Sequence, residues 1–176
     1  HEVLTVANDG DENRAQHMRW GLIPPWAKNA RIGSRMINAR AETVAERPSF
    51  RAAFRRRRCL VLADGFYEWM KVGGARRPMH VVLKTGEPFA FAGLWETWKD
   101  PDGQRVLSCT IITTSANSLM EPIHNRMPVI LPREAEPLWL DPGPQEPEVL
   151  SRLLVPYPSE EIEAYEVSTL VNSPSN

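Results

Sequence analysis

Hydrophobic and polar positions alternate from the first residues onward. Val3 to Ala7 reads as a strand, Asn8-Asp9-Gly10-Asp11 as a turn, and Gln16 to Gly21 as a second strand. Pro24-Pro25 breaks that strand and leads into Trp26-Ala27-Lys28. Asn38 to Glu46 favours a helix, with Asn38 placed to cap it. Pro48 then opens a second short helix, Ser49 to Arg56, with Phe50 and Phe54 on one face and the run Arg55-Arg56-Arg57-Arg58 at its end. From Leu60 the period changes to two. Leu60–Ala63 and Gly65–Trp69 read as one long strand bent at Asp64-Gly65, and Met79–Leu83 follows the Gly73-Gly74 turn. Phe89–Trp95 follows Gly86, and Asp100-Pro101-Asp102-Gly103 signals a hairpin before Val106–Thr113. Two helical patches, Glu134–Leu140 and Pro147–Leu154, lie in a proline-rich stretch, and Tyr165–Ser168 reads as a last strand. Short strands joined by tight turns predict a single α+β domain with a β-barrel-like antiparallel core and short peripheral helices.

Composition narrows the class. The 176 residues suit one domain, and no apolar run approaches the ~18 residues of a membrane span. No charged-then-apolar leader opens the chain, so no secretory signal is read, and a cytoplasmic monomer is expected. The two cysteines, Cys59 and Cys109, lie in apolar strand-like runs and read as reduced core thiols. No CxxC or HxxxH spacing suggests a metal, and no cofactor is called for. Charge is lopsided: residues 1–133 hold 20 Lys and Arg against 13 acids, and residues 134–176 hold one Arg against nine acids. A basic body suits a polyanion, though a solvated surface without a partner fits charge alone equally well.

Three polar side chains interrupt apolar or rigid stretches. Asn38 follows Met36-Ile37, Glu68 sits inside Phe66-Tyr67-Glu68-Trp69, and His124 lies in Pro122-Ile123-His124-Asn125-Arg126-Met127-Pro128. A carboxylate between aromatics should have a raised pKa, which suits proton transfer, and a histidine can relay the same proton. Each also has a plainer reading: a solvent-facing Glu68, a turn histidine, a helix-capping Asn38. Arg40 and Arg126 follow Asn38 and His124 by two positions each and suit recognition of phosphate. Trp20, Trp26 and Trp69 suit stacking on unpaired bases, with core packing as the alternative. The four-arginine run reads either as a solvated helix end or as a phosphate contact. His17 and His80 read as structural.

Five segments, in order, resemble the SOS-response-associated peptidase (SRAP) domain family. They are Arg19–Trp26, Ile37–Thr43, Cys59–Trp69 with its Ala63-Asp64-Gly65-Phe66-Tyr67-Glu68-Trp69, Ile112–Asn117, and Ile123–Val129, with the ending Val167–Asn172 in support. The resemblance implies a domain that binds abasic sites in single-stranded DNA and cross-links to them. The family's nucleophile is a cysteine following the initiator methionine, exposed when the methionine is removed by self-processing. Its α-amine condenses with the ring-opened sugar and its thiol closes a thiazolidine ring. An α-amine with a pKa near ~8 is partly neutral at physiological pH and can attack an aldehyde.

By the same resemblance, Asn38 holds the sugar, Glu68 transfers protons and His124 assists ring opening and reversal. Arg40 and Arg126 grip phosphates, Trp69 lies near the DNA path, and Thr113 is a lesser DNA contact. Ala27 stands where some members carry a further aromatic beside Trp26. This chain opens His1-Glu2-Val3 rather than Met-Cys-Gly-Arg, so a segment of about forty residues is expected to be missing before it, and the chain as given is not expected to cross-link. Two other classes remain: a non-catalytic single-stranded DNA-binding module, and a general cysteine peptidase, which the absence of a Cys-His pairing disfavours.

Overall fold

A computed structural model describes residues 1–175. In chain order the strands are β1 (Glu2–Asn8), β2 (Asn13–Trp20) and β3 (Asn38–Arg40), followed by helix α1 (Arg51–Arg56). Then come β4 (Arg58–Ala63), β5 (Phe66–Val72), β6 (Ala75–Leu83), β7 (Phe89–Lys99) and β8 (Arg105–Ser115). The chain continues through β9 (Arg126–Pro128), β10 (Ile130–Leu131), α2 (Glu136–Leu140), α3 (Pro147–Ser151) and β11 (Ile162–Glu166).

The expected β-barrel-like α+β domain is present. Strands β4, β1, β2 and β8 pair in that order, and β7 joins β8 back to β4, closing a 5-strand barrel. Most pairings are antiparallel, but the closing pair β2–β8 is parallel, with Arg19 opposite Ser108 and Trp20 opposite Cys109. The barrel fills from within: Ala7, Met18, Cys59, Val61, Phe91, Cys109 and Ile111, drawn from all of its strands, form one buried cluster. The opposite faces of β4, β7 and β8 (Leu60, Ala92, Leu94, Ile112) pack under Phe54, Trp139 and Leu150 of the helices.

A second sheet, β11-β6-β5, lies beside the barrel. Val81, Ile162, Phe66 and Met70 pack against Met120, Ile123 and Met127, so this sheet's inner face covers the segment between β8 and β9. Glu68 shares the period-2 face of Phe66 and Met70 and therefore looks toward that segment, which carries His124.

Four local expectations change. Residues 38–46 are not a helix: β3 pairs in parallel with β8, and successive turns follow, with the Thr43 and Val44 amides donating to Arg40 O. Pairing to β8 overrides the helical propensity of the segment, so Asn38 is a strand residue and caps nothing. The bent strand at Asp64-Gly65 is two strands in two sheets, because β4 pairs with β1 and β7 while β5 pairs with β6. The last strand ends at Glu166 rather than beginning near it, fixed by Tyr165 opposite His80.

The arginine run also divides. Arg58 is 2% exposed and donates to the carbonyls of Phe54, Arg55, Trp139, Asp141 and Gly143, tying α1 and β4 to the α2 region. Arg57 pairs with Glu96 at 2.6 Å.

Candidate functional site

Strand β8 organises the site because it is used along both edges. Its odd-numbered residues bond to the β2–β3 side: Gly21 N–H donates to Cys109 O, Ile111 N–H to Ile37 O, and Ala41 N–H to Thr113 O. Its even-numbered residues serve the other side, where Val129 N–H donates to Ile112 O and Met127 faces Thr114. The end of β8 thus sits between β3, with Asn38 and Arg40, and β9, with Arg126.

Arg126 is the hub. Its two terminal nitrogens reach the two carboxylate oxygens of Glu42 at 2.8 and 2.9 Å, and one also donates to Thr113 O at 2.9 Å and Thr113 Oγ1 at 3.2 Å. Its Nε is buried and has no hydrogen-bond partner among the described residues. Arg40 approaches the same carboxylate more loosely, at 3.8 Å, and its side chain is 65% exposed. The hydrogen bonds from Arg126 hold the Glu42 carboxyl below its ordinary value of 4.5, outweighing a small desolvation in the other direction. Arg126 is therefore committed to Glu42 and Thr113, whereas Arg40 presents most of its guanidinium to solvent.

His124 is held at the mouth of the same region. Its Nδ1 lies 3.1 Å from the Arg126 backbone N and 3.3 Å from the Arg126 backbone O, so the ring is anchored to that backbone through Nδ1. The loop before it is braced by Asn117, whose Oδ1 accepts from Met120 N–H and whose Nδ2 donates to Tyr157 O. The His124 N–H then closes a turn onto Met120 O at 2.8 Å. Across from it, burial pushes the Glu68 carboxyl up, while the charge of His124 and the Trp69 N–H pull it partly back. The predicted elevation at Glu68 is present, and His124 is close enough to act on it electrostatically.

Asn38 is exposed on β3, two residues from Arg40, and the neighbouring Ile37 O accepts the indole N–H of Trp20 at 2.9 Å. Trp20 is half-buried against the barrel core, so its ring supports β3. Trp26 stands apart, 59% exposed, in the loop of residues 22–36. That loop is pinched at its base: Gly21 has φ 121°, and a Cβ there would lie 2.5 Å from Gly33 O. Trp69 faces away from Glu68, as its odd position in β5 requires, and its N–H donates to Asn172 Oδ1 at 2.6 Å. His80 is structural as expected, with its Nδ1 2.7 Å from the Tyr165 hydroxyl.

Sequence reasoning assigned no role to Glu42, the carboxylate that joins the two arginines. The only local signal is an acid two residues after Arg40, and its partner lies 84 residues away. The thiols offer no nucleophile: Cys59 and Cys109 are both 0% exposed, and burial pushes Cys109 to about 12 and Cys59 well above its ordinary value. A separate groove of about 830 Å³, walled by Leu62, Phe89, Leu131, Tyr157 and several glutamates, contains none of these site residues. Among the described residues, no group of His, Cys, Asp and Glu side chains could hold a metal ion, and no helix is long and apolar enough to cross a membrane.

With the geometry in place, comparison with known proteins fixes the class. The SRAP model, described as SOS response associated peptidase, matches residues 1–174, and the chain belongs to this family. The abasic site processing protein YoqW of Bacillus subtilis is 54% identical over 175 residues, covering 99% of this chain and 78% of that protein. The abasic site processing protein HMCES of Xenopus tropicalis is 35% identical, covering 96% of this chain and 56% of that protein. A crystal structure of a protein from Bacteroides thetaiotaomicron superimposes with a TM-score of 0.88 at 33% identity, covering all of this chain and 78% of the other.

Proposed function

We propose that this domain processes abasic sites in single-stranded DNA, holding the opened sugar between Asn38 and the Glu68–His124 pair while a cysteine at the start of the polypeptide forms the covalent link. The observation that carries this reading is the pairing itself. A half-buried carboxyl with a raised pKa looks toward an imidazole anchored to the backbone through Nδ1, which makes its Nε2 the nitrogen available for proton exchange. The family relationship and the names of YoqW and HMCES support the same substrate.

The chemistry balances without an external reagent. The α-amine attacks the sugar aldehyde and the carbinolamine loses water to give an imine. The thiol then adds across the C=N bond, its sulfur bonding to carbon and its proton ending on nitrogen. Glu68 supplies the proton that lets hydroxide leave as water and recovers one when the iminium nitrogen gives up its proton to form that imine. Self-removal of the methionine needs the same residue to deprotonate the attacking water. His124 protonates the ring oxygen as the closed sugar opens, and Asn38 orients the sugar hydroxyls. Arg40 is the freest guanidinium beside them and meets a flanking phosphate. Arg126, gripping Glu42 and Thr113, sets the position of Arg40 through their shared carboxylate.

The test is a reaction between abasic single-stranded DNA and the chain preceded by the family's Met-Cys start. A heat-stable adduct whose mass equals the methionine-free protein plus DNA less one water supports the reading. A folded protein that binds the DNA and yields no adduct leaves the non-catalytic binding module in its place.

A further inference from the structure

Separating the arginine run leaves Arg55 and Arg56 exposed at the end of α1, with Arg57 and Arg58 removed into structural contacts. The structure adds two cations that the run did not contain. From Arg40 to Arg57 the backbone is a continuous series of turns: Arg47 O accepts from Phe50 and Arg51, Phe50 O from Phe54, and Ala53 O from Arg57. Arg51 and Arg55 fall four residues apart on α1 and share a face, about 5–6 Å between Cβ atoms, and Arg47 stands four residues earlier, its carbonyl accepting from Arg51 N–H. The adjoining face is buried through Phe50, Ala53 and Phe54.

We propose that Arg47, Arg51 and Arg55, with Arg56 beside them, form a track for the phosphate backbone of a nucleic-acid strand outside the pocket. This rests on the proposed function only in taking DNA as the partner. Among the described residues none of these four arginines has a carboxylate within 4.0 Å; Arg19, Arg31, Arg35, Arg76, Arg105 and Arg152 are also unpaired, but only these four cluster on one turn-and-helix segment. Even the adjacent Glu46 forms no pair with Arg47. Like charges at four-residue spacing destabilise a helix, and cations in its first turn oppose the helix dipole. Within α1 the pair Arg51 and Arg55 carries the first burden and Arg51 the second, while Arg55 and Arg56 in the last turn suit the dipole; an anion lying along the stripe relieves the repulsion. Guanidinium groups at this spacing suit successive phosphates, and such contact is indifferent to base sequence. The stripe also begins on the same run of turns that leaves the pocket at Arg40 and Glu42, so a strand leaving the pocket meets it next.

The test uses a long, undamaged single-stranded oligonucleotide and the triple variant Arg47→Gln/Arg51→Gln/Arg55→Gln. Affinity is measured by fluorescence anisotropy across about 50–200 mM salt. On single strands each lost phosphate contact removes ~0.7 from the slope of log K against log salt, so the triple variant should be shallower by about 2. A control lacking three exposed cations elsewhere (Lys84, Lys99 and Arg152 to Gln) should keep most of the wild-type slope. An unchanged slope in the triple variant, an equal loss in the control, or wild-type protein that fails to bind this probe would overturn the proposal. The probe has no abasic site, so a protein carrying the family's Met-Cys start that binds it yet never reacts with abasic DNA would undo the proposed function and leave the stripe standing.

Discussion

Arg126 and Glu42, 84 residues apart in sequence, meet through two parallel hydrogen bonds of 2.8 and 2.9 Å and so join β9 to the turn that follows β3. The arginine side chain is 16% exposed and the glutamate 49%. The pair therefore has a sheltered half that fixes geometry and a wet half that limits its energy. Glu42→Gln should cost about 0.5–1 kcal/mol by urea denaturation at neutral pH. Its larger effect should be on DNA affinity, because Arg40 loses the carboxylate that restrains it.

The pH dependence of that pair has a definite sign. The Glu42 carboxyl sits below its ordinary value of 4.5 in the folded protein, so its stabilisation is present above that value. It disappears as pH falls through the lower, folded value. Comparing wild type with Glu42→Gln from pH 6 downward should show the two stabilities converging below about 4.5. Curves that stay parallel would mean the pair contributes nothing to folding.

Glu68 behaves in the opposite way. Burial raises its pKa, so the folded state favours the protonated form, and stability is lost as pH climbs from 4.5 through the folded value. Glu68→Gln should therefore raise Tm at neutral pH, whatever it does to the proposed proton transfer. Scanning calorimetry at pH 7 reads the first effect, and a Tm below wild type would show that the carboxylate supports the fold.

Arg58 should be among the most expensive residues to remove. It is 2% exposed, donates to five backbone carbonyls, and lies 5.9 Å from the centre of the Trp139 ring. Arg58→Ala leaves those acceptors buried and unpaired, and a loss of about 3 kcal/mol or more is expected. Arg55→Ala, a change in the same run at an exposed position, should stay within about 0.5 kcal/mol.

Cys59 and Cys109 should resist alkylation in the folded protein at pH 8 and react only on unfolding, since both are fully buried and Cys109 titrates at about 12. Rapid labelling by an aromatic disulfide reagent without loss of structure would contradict this.

The barrel was legible because its strands alternate and its turns carry Gly, Asp and Pro. The inward-facing Ala7, Met18, Cys59 and Cys109 all lie in strands visible from the sequence. Local propensity failed at Asn38–Glu46, where three residues pair with a strand more than 70 positions later and the capping pattern has no helix to cap. The four arginines looked alike in sequence, yet one became a buried clamp, one an ion pair, and two stayed in solvent. Only tertiary contacts with Trp139, Asp141 and Glu96 distinguish them. Asn38, Glu68 and His124 stood out because each is a polar interruption. Glu42 did not, because an acid beside arginines on a surface turn looks ordinary until Arg126 is placed against it.

The central claim is that Glu68, set against His124, moves the protons of cross-linking. It is tested most directly by the initial rate of heat-stable adduct formation with abasic single-stranded DNA, comparing wild-type and Glu68→Gln proteins whose initiator methionine has already been removed by an added aminopeptidase, so that both begin with the free cysteine. We expect the variant to react on the order of 100-fold more slowly, with unchanged affinity for DNA carrying an unreactive tetrahydrofuran in place of the lesion. A Glu68→Gln protein that reacts at the wild-type rate would contradict it.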